Sequence, residues 1–113
     1  MLHSLERRTS SRMKTVIFKY ILSSDHATLD LPVGSKPLSV GVQKQGELVV
    51  WVLQPCDPIK CERWTITSIN TGSNFYINDL AGYEDGLFLG TVSVQTSTSV
   101  PIVWHIFANR KAN

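Results

Sequence analysis

The stretch PLSVGVQKQGELVVWVLQ, from Pro37 to Gln54, decides the fold. Its first half alternates: Leu38, Val40 and Val42 are apolar, whereas Ser39, Gly41 and Gln43 are not. A period of two residues is that of a strand with one buried face, so these three apolar residues are expected to point inward. Gln45-Gly46 supplies the turn, because glycine reaches backbone angles closed to other residues. The second half runs back without alternation: Val49, Val50, Trp51, Val52 and Leu53 are apolar in succession. A strand apolar on both faces is central in its sheet or covered from both sides. In a chain of 113 residues that second cover is expected from another subunit, which predicts a homo-oligomer.

Working outward, the same reading gives further strands. In TVIFKYIL, from Thr15, the residues Val16, Phe18, Tyr20 and Leu22 share a face. HATLDL follows from His26 and ends at the loop Leu31-Pro32-Val33-Gly34-Ser35. Between Cys61 and Asn70, Trp64, Ile66 and Ser68 oppose Arg63, Thr65 and Thr67. LFLGTVSV, Leu87 to Val94, contains Gly90, which marks a bulge or a close backbone approach. VPIVWHIF, Val100 to Phe107, closes the chain, with Ile102, Trp104 and Ile106 on one face and Val103, His105 and Phe107 on the other. Residues 75–86, FYINDLAGYEDG, read as a short helical turn or an irregular loop. About seven short, evenly spaced strands without an amphipathic helix predict an all-β fold. The expected architecture is a single-domain antiparallel sandwich or flattened barrel over residues 13–108. A flexible basic lead, residues 1–12, precedes it, and a frayed polar end, residues 109–113, follows.

Composition narrows the function. Hydrophobic residues make up 42% of the chain, enough for one core. No apolar run approaches the roughly 20 residues that span a bilayer. The first twelve residues have no hydrophobic stretch behind their charges, so neither a membrane anchor nor a secretory signal is expected. The net charge is +2. Arg7, Arg8 and Arg12 against Glu6 account for it, and the remainder is close to neutral. A nucleic-acid-binding domain carries a basic stripe on one element, and none is visible. Cys56 and Cys61 are too few for a four-ligand zinc site and read as two reduced thiols of a cytosolic protein.

Catalytic constellations are missing from the sequence. It holds no G-x-S-x-G elbow, P-loop, G-x-G-x-x-G or H-E-x-x-H. His3, His26 and His105 are scattered. Asp79, Glu84 and Asp85 share one loop, but their spacing fits no calcium cage. No metal or cofactor is expected, and the chain is not expected to be an enzyme. Binding chemistry is better represented. Trp64 offers a ring for stacking on a nucleobase. Arg63 beside Thr65 offers a bidentate phosphate donor. Asn70 and Thr71 offer hydroxyl, amide and backbone groups at a strand end, and Lys36 a further cation. His105 has no neighbouring acid in sequence and reads as a structural or interface histidine that also qualifies as a ligand contact.

Five segments carry a family resemblance: MKTVIFKY at Met13, LPVGSKPLSVGVQ at Leu31, ELVVWVL at Glu47, LFLGTV at Leu87 and IVWHIF at Ile102. Together they resemble a family of small, uncharacterised β-rich proteins common in tailed phages, prophages and bacteria. Its members open with K-x-I-x-K-Y, continue through L-P-x-G-x-x-x-L-S-V, and close on a G-T-V strand and V-W-H-V-F. The GTG turn usual there is replaced by Asn70-Thr71-Gly72-Ser73, and residues 1–12 have no counterpart. The resemblance implies a phage or prophage source and action in the cytoplasm of a bacterial host. It brings no activity with it.

These observations frame three expectations. The first is an oligomeric phage protein that sequesters a host nucleotide-derived defence signal, a cyclic nucleotide or ADP-ribose-type ligand. The second is an interaction module that inhibits a host protein or serves as a phage accessory factor. The third is a small nucleotide hydrolase.

Overall fold

The computed structural model describes residues 13–57, 60–77, 80, 86–98 and 100–110. The lead at 1–12, the acidic loop residues Asp79, Glu84 and Asp85, and residues 111–113 lie outside them. Seven strands are described: β1 (Thr15–Ile21), β2 (His26–Pro32), β3 (Lys36–Val42), β4 (Leu48–Pro55), β5 (Cys61–Asn70), β6 (Leu87–Val94) and β7 (Ile102–Arg110). All pairings are antiparallel. The strands form two sheets, one of order β1-β4-β3 and one of order β2-β5-β7-β6. The sheets pack face to face, with β3 against β6 and β2 against β4. Of the two predicted architectures the protein therefore takes the sandwich.

β4 is the central strand of the three-stranded sheet, as its uninterrupted apolar run requires. Val50 and Val52 turn into the sandwich and are fully buried. They meet Ala27, Leu31, Trp64, Ile66, Ile106 and Ala108 of the opposite sheet, together with Leu22. Each large aliphatic side chain buried here contributes about 1.5–3 kcal/mol. One polar pair shares this face: the Tyr20 hydroxyl donates to Oε1 of buried Gln54 at 2.6 Å. The other face of β4 carries Val49, Trp51 and Leu53, flanked through the ladder by Ile17 and Ile21 of β1.

Turn chemistry sits where the sequence puts it. A 3-10 turn at Lys44–Gly46 joins β3 to β4, and Gly46 takes φ +76°. Its N–H donates to the Gln43 carbonyl at 3.1 Å. Gly90 marks a bulge and a close approach at once. The β6–β7 register shifts between Phe88 and Gly90, and a Cβ on Gly90 would lie 3.3 Å from Val40 of the opposite sheet.

Two details differ from the sequence reading. Leu38 does not point inward: the β3–β4 register shifts between Pro37 and Ser39. This turns Pro37 into the core and leaves Leu38 41% exposed. A bulge inserts one unpaired residue and resets the alternation, which a strict period of two cannot foresee. β7 also continues through Asn109 to Arg110, pairing them with Thr65 and Trp64, and Asn109 is buried.

Candidate functional site

The outer face of the four-stranded sheet holds most of the polar chemistry. Alternation along β5 sends Trp64, Ile66 and Ser68 into the sandwich and leaves Arg63, Thr65, Thr67 and Ile69 outside. The register then sets their neighbours. Asp30 stands opposite Arg63, and Thr28, Thr65 and Asn109 form a row. His26, Thr67, Phe107 and Phe88 form the next row, and Ile69, His105 and Thr91 the one after.

His105 is the best-held side chain on this face. Oγ1 of Thr71 lies 2.7 Å from its Nε2, and Oγ1 of Thr91 lies 3.0 Å from its Nδ1. A neutral imidazole donates through one nitrogen and accepts through the other, and each hydroxyl can take the complementary role. The ring is thereby fixed in orientation by two elements, the turn after β5 and strand β6. Thr71 is positioned by its own backbone, whose N–H donates to the Val103 carbonyl at 2.9 Å. The neighbouring Ser73 hydroxyl donates to Oδ1 of Asn70, which closes the turn.

One ladder step away, Phe88 and Phe107 stand opposite each other with ring centroids 5.3 Å apart and planes tilted by 50°. Phe88 is 57% exposed. An aromatic pair, Phe88 exposed and Phe107 partly buried, thus lies beside a histidine bracketed by two hydroxyls. That combination offers a π-face to a planar group and several hydrogen bonds to an oxygen-rich one.

The sequence-predicted residues divide among four places, the last of them the core. Thr71 and His105 come together as described. Arg63 and Thr65 lie on the same face but at the far end of β5. Arg63 is six residues from Ile69, the residue opposite His105, so the two poles are about 20 Å apart. Nε of Arg63 also sits 3.4 Å from Oδ1 of Asp30, with both side chains largely solvated. Asn70 pairs with Trp104 and directs its amide to the turn. Lys36 belongs to β3, opposite Leu53 in the other sheet, and shares no surface with them.

Trp64 requires a correction. It is 7% exposed and packed in the core, so its ring has no face to offer a ligand. The aromatic residues that do face outward here are Phe88 and Phe107. Alternation along β7 puts Phe107 on the His105 face and was legible in the sequence. The side taken by Phe88 relative to the bulge at Gly90 was not.

Other chemistry is sparse. Cys56 and Cys61 are exposed and unpaired. Among the described residues no group of three or more His, Cys, Asp or Glu side chains is placed to hold a metal ion. No described helix is long and apolar enough to cross a membrane. In comparison with known families, the model described as Domain of unknown function (DUF7352) matches residues 13–113. No curated protein and no solved structure matches the chain.

Proposed function

The chain belongs to the DUF7352 domain family, and on that premise we propose that it is an oligomeric, non-enzymatic protein that sequesters a nucleotide-derived signal. The ligand class is a cyclic nucleotide or an ADP-ribose derivative. Its base stacks on Phe88 and Phe107, and its phosphate or ribose oxygens bind at Thr71, Thr91 and His105. The observation that carries this reading is the phenylalanine pair, with Phe88 exposed and Phe107 partly buried, lying one ladder step from a histidine held by two hydroxyls. Base–aromatic stacking contributes about 1–3 kcal/mol per base and suits a site of this composition. The motif resemblance to phage and prophage proteins supports a setting in an infected bacterium, with a defence signal of the host as the ligand.

Calorimetric titration of the folded protein with cyclic di- and trinucleotides and ADP-ribose derivatives tests the proposal. Saturable heat with at least one member, abolished by His105→Ala, supports it. Heat from none of them overturns it.

Two specific observations favour other readings. The apolar outer face of Ile17, Ile21, Trp51 and Leu53 suits a protein partner. A single stoichiometric host protein in a pull-down, with no nucleotide bound, selects an inhibitory or accessory interaction module. The 2.7 Å approach of the Thr71 hydroxyl to His105 Nε2 is that of a nucleophile and its base. The third position, however, is the neutral hydroxyl of Thr91 rather than a carboxylate. Product formation from a nucleotide that survives Cys→Ser changes and fails with His105→Ala selects a hydrolase.

A further inference from the structure

β1 is the end strand of its sheet: β4 pairs with it on one side, and no described strand lies on the other. The ends of the ladder fix which way its peptide groups point. The Lys14 carbonyl accepts from the Cys56 N–H at 3.0 Å, and the Leu22 N–H donates to the Leu48 carbonyl at 2.9 Å. Even-numbered residues therefore turn their backbone groups toward β4, while Thr15, Ile17, Lys19 and Ile21 turn theirs to the open edge. This edge is apolar on both of its faces. Ile17 and Ile21 are 55% and 53% exposed on the outside of the sheet, and Phe18 is 50% exposed on the inside. Natural edge strands are blunted by proline, bulges, short length or charge. β1 runs seven residues in unbroken register, TVIFKYI, with Lys19 as its one charge.

We infer that β1 is a homodimerisation edge. Two copies pair β1 to β1, antiparallel, about a two-fold axis at Phe18, and join their three-stranded sheets into one of six strands. The occupant is a second copy because the strand complements itself in one register. With the axis at Phe18 the whole strand overlaps. Thr15 faces Ile21, Ile17 faces Lys19, and these outward-turned residues exchange backbone hydrogen bonds. The two Phe18 rings meet at a non-hydrogen-bonded position, where opposite side chains approach most closely. Moving the axis to Lys19 sets two ammonium groups opposite each other, which is destabilising. Moving it to Ile17 shortens the overlap to Thr15–Lys19. The interface specifies the oligomer included in the functional reading above and uses none of the residues assigned to the ligand.

Light scattering and cross-linking on the full chain test the inference. The wild-type protein is expected at twice its monomer mass at micromolar concentration. Ile17→Pro removes an N–H that points to the open edge, so the β1–β4 ladder survives while the new pairing is lost. It is expected to be a folded monomer. In a Cys56→Ser, Cys61→Ser background, Phe18→Cys is expected to form an intermolecular disulfide, since non-hydrogen-bonded partners stand about 4.5 Å apart at Cα. A monomeric wild type, a folded Ile17→Pro dimer, or cross-linking through Lys19→Cys in place of Phe18→Cys overturns the inference. If Ile17→Pro unfolds, the cross-links decide. Nucleotide titration of the folded monomer reads the ligand face separately, so either idea can fail alone.

Discussion

Trp51 lies over Gly41 on the outer face of the three-stranded sheet: a Cβ on Gly41 would stand 2.7 Å from Cζ3 of the indole. Ser39, not Gly41, is the direct partner of Trp51, so the ring leans diagonally across the ladder onto the glycine. Gly41→Ala is expected to push the indole outward and cost about 1–3 kcal/mol, the usual range for overpacking. Urea unfolding reads the loss, and the tryptophan emission of the folded protein reads the displaced ring. In a Trp51→Val background the same Gly41→Ala change should cost much less, because the atoms it meets are gone. An equal cost in both backgrounds would place the need for glycine in the backbone instead.

Gly90 presents the opposite case. Its φ of +147° is strained for any other residue, and a Cβ there would also press on Val40 at 3.3 Å. Gly90→Ala is therefore expected to destabilise by about 1–3 kcal/mol. Val40→Ala removes the contact but leaves the dihedral, so adding it to Gly90→Ala should recover none of the backbone cost. Full recovery in the double variant, measured by urea unfolding as a double-mutant cycle, would refute the backbone account.

These two glycines show what was legible in the sequence. Gly90 interrupts a strand pattern, and that interruption announced a bulge. Gly41 falls on the polar phase of an alternating strand and looks like any other outward residue. Its partner is two residues off the direct pair, a relation that only the register reveals. The faces of β5 and β7 are readable because their pairing, from Trp64–Arg110 to Asn70–Trp104, runs without a register shift. Leu38 departs from the period of two because the β3 bulge precedes Ser39. The candidate site was readable only in part. Thr71, Thr91 and His105 lie far apart along the chain and meet through the order β5-β7-β6, which local periodicity does not encode. Arg63 and His105 share a face, but their separation follows from strand length and pairing, so pooling them into one site from sequence brought together groups about 20 Å apart.

Tyr20 and Gln54 form a polar contact at the margin of the core. The phenol donates to Gln54 Oε1 at 2.6 Å, and Gln54 is buried. Tyr20→Phe keeps the ring and leaves the amide oxygen without its donor, which is expected to cost about 1–3 kcal/mol. Gln54→Met removes both the need and the acceptor. In that background Tyr20→Phe should be nearly neutral in a thermal melt. A loss as large as in the wild type would mean that the phenol hydroxyl acts through some other group.

Trp64 and Phe88 separate stability from binding. Trp64 fills the core beside Ile66 and Ile106, so Trp64→Ala is expected to cost about 3–5 kcal/mol of stability. Phe88 is exposed and meets Phe107 with the ring planes tilted by 50°. Phe88→Ser forfeits about 0.5–1.5 kcal/mol of aromatic contact and leaves the fold intact. If the nucleotide reading holds, the order reverses for affinity. Removing a stacking ring weakens binding by about 1–3 kcal/mol, or roughly 5- to 150-fold. Trp64→Phe, a milder core change, should leave affinity near the wild-type value. Calorimetry on the folded variants, beside their urea midpoints, checks both orders. A ligand whose affinity follows Trp64 and ignores Phe88 would move the site from the outer face to the sandwich interior.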